Sequence, residues 1–124
     1  MTLDPFNFYT TPGIRFGNGQ AKDSCKDIFK QLGSRILFIT DKGLMSLGLT
    51  KPTIEELKKM GSVEVFDDVE ADPSKKTLLK AIDIGKKFKA TGVIGFGGGS
   101  SMDVAKLSAL ILGSNEDLEK AWGV

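Results

Sequence analysis

The sequence predicts an α/β domain, a parallel sheet with helices packed on both faces. Arg35–Thr40, a short, nearly continuous apolar run, reads as a strand buried on both faces, and Val63–Phe66 and Val93–Phe96 read as two further strands. Between them lie stretches whose apolar residues recur at helical spacing, so strand and helix alternate. The third run enters Gly97-Gly98-Gly99-Ser100 and then a helix with Val104, Ala105, Leu107, Leu110 and Ile111 at apolar positions. Alternation of this kind implies right-handed βαβ crossovers, and hence parallel strands.

Ahead of the first strand, residues 1–20 carry Pro5, Pro12 and three glycines, with Phe6, Phe8, Tyr9 and Phe16 among them. They read as an amino-terminal β-ribbon, extended around 6–10 and 13–17 and turning at Gly17-Asn18-Gly19. Its aromatics suit packing of the ribbon on the body, or else a ligand wall. From Ala21 to Leu32, Cys25, Ile28, Phe29 and Leu32 form a helical stripe that Gly33 closes. Cys25 lies on that stripe with no charged partner apparent beside it, which marks a structural thiol.

After the first strand come short helical stretches near Lys42–Leu47 and Pro52–Met60, the second with Pro52 in its first turn and Gly61 at its exit. Asp72-Pro73 reads as the N-cap and first residue of a long helix, with Leu78, Leu79, Ile82 and Phe88 on its buried side. Lys75, Lys76, Lys80, Lys86, Lys87 and Lys89 crowd the same helix. No aromatic platform interleaves with them, so they read as a solvated face rather than a nucleic-acid patch. A last helical turn is expected near Glu116–Ala121.

Composition narrows the chemistry. A chain of 124 residues is one domain or part of one, and a net charge of +1 argues for no nucleic-acid partner. No apolar run approaches a membrane span, and the single cysteine suits a reducing, cytoplasmic setting. The sequence contains no histidine. An imidazole acid–base group, a Ser-His-Asp triad and a His metal ligand are therefore excluded from this chain.

The glycine run is the richest chemical signal. Glycines lack Cβ, so backbone amides can approach an anion closely, and a helix amino terminus adds partial positive charge. The run matches neither the Walker pattern nor G-x-G-x-x-G, so phosphate binding stands beside a plain tight turn. In parallel sheets ligands bind beyond the carboxyl ends of the strands, where Asp41, Asp72 and the 97–100 loop are all expected. A carboxylate at Asp41 can grip the hydroxyls of an adenosine ribose and would repel a 2′-phosphate. It can equally cap the helix that follows. Asp103 in turn can complement the dipole of the glycine-run helix.

Read as Gly97-Gly98-Gly99-Ser100-x-x-Asp103-x-x-Lys106, the run resembles the iron-containing (group III) alcohol dehydrogenases. Arg15-Phe16-Gly17-Asn18-Gly19, Phe38-Ile39-Thr40-Asp41-Lys42-Gly43-Leu44 and Val65-Phe66-Asp67-Asp68-Val69 leading to Asp72-Pro73-Ser74 resemble the same family in the same order. The resemblance implies a Rossmann-like cofactor domain, here the incomplete amino-terminal part over residues 1–124. It further implies NAD more than NADP as cofactor, with Asp41 at the adenosine ribose. Gly98, Gly99 and Ser100 would then hold the pyrophosphate, and Asp103 would stand near the nicotinamide, with Lys106 bracing the loop. Asp72 falls where the family usually carries Asn in a Pro-Asn-Pro step, a departure that leaves its cofactor contact open. A helical domain with one Asp and three His for Fe²⁺ or Zn²⁺ is implied for the complete enzyme, as are an alcohol or aldehyde substrate and a homodimer. None of those metal ligands is in this chain, which alone is expected to be inactive. Two rival readings share the same residues: a dehydroquinate-synthase-like lyase that uses NAD, and a non-catalytic nucleotide-binding or association module.

Overall fold

The strand Arg35–Ile39 (β1) occupies the centre of the sheet, and Ile36, Leu37, Phe38 and Ile39 have no exposed surface. The computed structural model describes Pro5, Asn7, Thr11 and residues 13–114. Strands Ser62–Phe66 (β2) and Gly92–Gly95 (β3) flank β1, both parallel to it, in the order β2-β1-β3. Side chains alternate across a strand, so β1 feeds two separate cores. Leu37 and Ile39 join Leu78, Ala81, Ile82, Val104 and Ile111 on one face. Phe38 joins Cys25, Ile54 and Leu57 on the other. Burying side chains of this size stabilises the fold by about 1.5–3 kcal/mol each.

Helices cover both faces, as expected. Helices Lys75–Phe88 (α5) and Gly99–Ser114 (α6) pack together over the Leu37–Ile39 face. Cys25–Leu32 (α2) and Lys51–Lys58 (α4) cover the Phe38 face, and Phe38 meets Phe96 there with ring centroids 5.5 Å apart. Two short helices complete the set, Gln20–Asp23 (α1) and Lys42–Ser46 (α3). The helix expected over 21–32 is thus divided at Ser24, whose hydroxyl and neighbour Asp27 receive the Arg15 guanidinium at 3.3 and 2.7 Å. Gly33 ends α2 as expected, at φ 82 and ψ −167, a conformation open to glycine. The lysines of α5 lie exposed, and among the described residues no helix is long and apolar enough to cross a membrane.

Three expectations need correction. Leu79, expected on the buried side of α5 with Leu78 and Ile82, is 47% exposed. Asp72 does not cap α5. It adopts φ 50, a left-handed conformation that Asp and Asn tolerate better than most residues, and the cap passes to Ser74. The Ser74 hydroxyl accepts from the Thr77 amide at 3.2 Å. Glu70 secures this start, accepting from the Thr77 hydroxyl at 2.5 Å and the Ser74 amide at 3.1 Å. The amino-terminal ribbon is not formed over 13–16, where the backbone belongs to no strand. Pairing needs a second edge, and the residues expected to supply it (6 and 8–10) lie outside the described residues, as does the turn expected near 116–121. Phe16 is fully exposed rather than packed on the body.

The cap of α5 should leave a signature in acid. Hydrogen bonds from the Thr77 hydroxyl and then the Ser74 amide hold the Glu70 carboxyl below the ordinary glutamate value. A carboxyl whose folded value is depressed contributes stability above its unfolded value, and that contribution is lost as pH falls through the folded one. Urea titrations of native chain and Glu70→Gln should therefore differ by a constant amount above about pH 5. The gap should close on acidification below that.

Candidate cofactor site

The three strands end together. Ile39 lies opposite Phe66 on one side and Gly95 on the other. The ladder continues one step past each end, with the Thr40 amide on the Phe66 carbonyl at 2.9 Å and the Phe96 amide on the Ile39 carbonyl at 2.8 Å. Loops leaving β1, β2 and β3 consequently emerge at one rim, the edge where parallel sheets bind ligands.

After β1 the chain turns at Asp41, which is extended (φ −121, ψ 161) and caps α3 by accepting the Leu44 amide on Oδ1 at 2.8 Å. The capping role foreseen for this residue is thus present, and it fixes the direction of the carboxylate at the rim. After β3 the chain bends at Gly97, where φ is 140. A Cβ there would come within 2.9 Å of Leu44 Cδ1 and 3.2 Å of Ser101 Oγ, so glycine is required by the fold itself. Gly98 and Gly99 differ: a Cβ on either would meet nothing within 4 Å. The internal packing of this chain gives no reason for glycine at those two positions.

Helix α6 starts at Gly99, and its first backbone bond runs from the Met102 amide to the Gly98 carbonyl at 3.1 Å. The earlier amides of this first turn lie ahead of any intrahelical acceptor, which leaves them to serve a ligand or water. Asp41, Gly98, Gly99 and Ser100 line a single open cleft of about 450 Å³, with Lys42, Glu70 and Ala71. That volume is within the range of small-molecule sites. Four of the six residues singled out from sequence therefore meet. Asp72 and Asp103 do not join them. They line the adjoining cleft of about 510 Å³, with Lys106 and the apolar Pro73, Leu78, Val104 and Leu107. Both clefts follow the same rim, since Ala71 lines the first and Asp72 the second, while Ser100 and Asp103 are one turn apart on α6.

Sequence reasoning overlooked Lys42, Glu70 and Ala71 as lining residues. Lys42 was legible only as the neighbour of Asp41. Its ammonium hydrogen-bonds Asp68 Oδ1 at 2.9 Å, and the backbones of Asp41 and Asp68 form an isolated antiparallel bridge. That hydrogen bond raises the Lys42 value and holds the Asp68 carboxyl below the ordinary range. Away from the rim, burial pushes the Cys25 thiol up, in keeping with a packing role, and its Sγ lies 3.3 Å from the Ala21 carbonyl. Among the described residues, no group of three or more His, Cys, Asp or Glu is placed to hold a metal ion.

A family model described as iron-containing alcohol dehydrogenase matches residues 11–123. The chain belongs to the iron-containing alcohol dehydrogenase family. It is 31% identical over 121 residues to sulfoacetaldehyde reductase of Bilophila wadsworthia, covering 96% of this chain and 31% of that protein. NADH-dependent butanol dehydrogenase A from Thermotoga maritima superposes with a TM-score of 0.84 at 28% identity, over 95% of this chain and 30% of that one. Sulfoacetaldehyde reductase from Bifidobacterium kashiwanohense, solved with NAD⁺, superposes at 0.76 with 30% identity, over 94% of this chain and 31% of that one. The chain thus spans about a third of the length of these family members.

The contrast among the glycines can be measured without any ligand. Gly97→Ala should lower unfolding stability by about 1 kcal/mol or more, from left-handed strain and the Leu44 clash. Gly98→Ala and Gly99→Ala should stay within about 0.5 kcal/mol of the native chain. Chemical denaturation of the three variants side by side reads the difference.

Proposed function

We propose that this chain is the amino-terminal, dinucleotide-holding part of a metal-dependent alcohol dehydrogenase, and that its cofactor is NAD rather than NADP. The observation that carries the reading is the shared cleft: a carboxylate at one end, and at the other a helix start with two glycines that the fold itself does not demand. Glycine at 98 and 99 makes sense if a ligand occupies the space a side chain would take. A diphosphate is that ligand, because amides and a helix amino terminus select an anion.

In this arrangement Gly98, Gly99 and Ser100 bind the pyrophosphate through backbone amides and a hydroxyl. Asp41, already oriented by its bond to the Leu44 amide, accepts from the ribose hydroxyls. The remaining half of the dinucleotide follows the rim into the adjoining cleft. There Asp103 stands near the nicotinamide end, with Lys106 one turn along α6, and the apolar lining limits water. The Asp72 carboxylate lines that cleft too, and its left-handed backbone gives a conformational reason for Asn or Asp at this place. When bound, the nicotinamide accepts or donates the hydride exchanged with the alcohol carbon.

No metal step can be derived from this chain. It has no histidine, and its described carboxylates form no cation cluster. Fe²⁺ or Zn²⁺, the alcohol or aldehyde, and the helical domain that would bring them together belong to the complete enzyme in this proposal. A homodimer is part of the same reading, supported by Ile14 (85% exposed) and Phe16 (100% exposed) on the segment before α1.

Calorimetric titration of the 124-residue chain tests the proposal. ADP-ribose and NAD⁺ should bind, and NADP⁺ should bind about tenfold more weakly, the equivalent of roughly 1.4 kcal/mol of like-charge repulsion at Asp41. The chain alone should form no NADH from alcohols. Absence of any dinucleotide binding at millimolar ligand, or alcohol-dependent NADH production by the pure chain, would overturn the reading.

A further inference from the structure

We propose that Asp68 is a specificity-determining residue, which favours an unmodified ribose over a 2′-phosphorylated one by holding the Lys42 ammonium away from Asp41. The inference rests on the nucleotide reading above and extends it to a residue outside the nucleotide cleft.

Lys42 directly follows Asp41 and opens α3, and it lines two clefts at once. One is the nucleotide cleft with Asp41 and the glycine bend. The other is lined by Asp67, Asp68, Lys80 and Asp83. A lysine beside a ribose-gripping carboxylate is chemically ambivalent. Its long flexible stem can swing the charge toward a 2′-phosphate, where it would offset the repulsion from Asp41. Left free, Lys42 would blunt the discrimination that Asp41 provides.

The structure shows Lys42 committed elsewhere. Its Nζ lies 2.9 Å from Asp68 Oδ1, and Asp68 Oδ2 lies 3.9 Å from Lys80 Nζ, so Asp68 stands between two cations. Asp67 adds a further attraction on the same side. The antiparallel bridge between the backbones of Asp41 and Asp68 joins the turn after β1 to the turn after β2. The backbone of the residue that retains Lys42 is thereby tied to that of the residue proposed to meet the ribose. Lys42 and Asp68 are both substantially exposed, so the pair adds little to stability and its effect is on where one positive charge resides.

Titration with NAD⁺ and NADP⁺ at low ionic strength tests this, using native chain, Asp68→Asn, Asp68→Glu and Asp68→Asn combined with Lys42→Met. The readout is the ratio of the two affinities, which loss of folded protein does not shift. Asp68→Asn should raise the relative affinity for NADP⁺ by about three- to fivefold, the scale of one exposed charge contact. The gain should fade with added salt. Asp68→Glu should keep the native ratio, and adding Lys42→Met should cancel the gain. An unchanged ratio in Asp68→Asn, with NAD⁺ still bound, overturns the inference alone. A gain that survives Lys42→Met also overturns it, because the effect is then the general field and not the released ammonium. Failure of the native chain to bind NAD⁺ at all removes the nucleotide reading, and this inference with it.

Discussion

Ile39 faces Phe66 across one ladder and Gly95 across the other, and its carbonyl receives the Phe96 amide at 2.8 Å. The rim is built on that double register. A one-residue slip of β3 against β1 would turn its side chains to the opposite face and carry the glycine bend away from Asp41. The two cores guard against such a slip from both sides. Leu37 and Ile39 are locked among the side chains of α5 and α6, while Phe38 is locked against Leu57, Ile54 and Phe96. Packing far from the rim therefore decides where the rim residues stand.

Given that register, the glycine bend after β3 brings Gly98 and Gly99 to the cleft. Gly97 fits beneath Leu44 and beside Ser101 because it has no side chain, and this contact joins the bend after β3 to the helix that Asp41 caps. In the proposed reading the anion-binding groups are amides of a helix start, whose direction follows from α6 packing on β3 and α5. Such groups need no side-chain ordering when a ligand arrives, which lowers the entropic cost of binding. Side chains enter where selectivity is needed: Asp41 at the ribose end in the proposed reading, and the Lys42–Asp68 pair behind it.

How much of this was legible in the sequence follows from how local each signal is. The strands and the closing of α2 by Gly33 depend on short apolar runs and one residue type, and they stand where expected. The start of α5 was misplaced because Asp-Pro and Ser-Lys offer competing caps two residues apart. The winner was decided by Glu70, which grips Ser74 and Thr77 from outside the helix. The Lys42–Asp68 pair joins residues 26 apart through the parallel alignment of β1 with β2, and no spacing rule anticipates it. The division of the rim into two clefts was likewise hidden, since it depends on how the loop after β2 crosses the first turn of α6.

The metal half of the chemistry has no counterpart among these residues, so the account is tested at the nucleotide end. The most direct measurement is a map of backbone amide shifts on titrating the ¹⁵N-labelled chain with ADP-ribose. The amides of Gly98, Gly99, Ser100 and Ser101 should move together, with Gly43 and Leu44 responding beside Asp41. Binding that leaves those amides unmoved, and instead shifts residues of the groove between Ile14 and Gln31, would contradict the nucleotide reading.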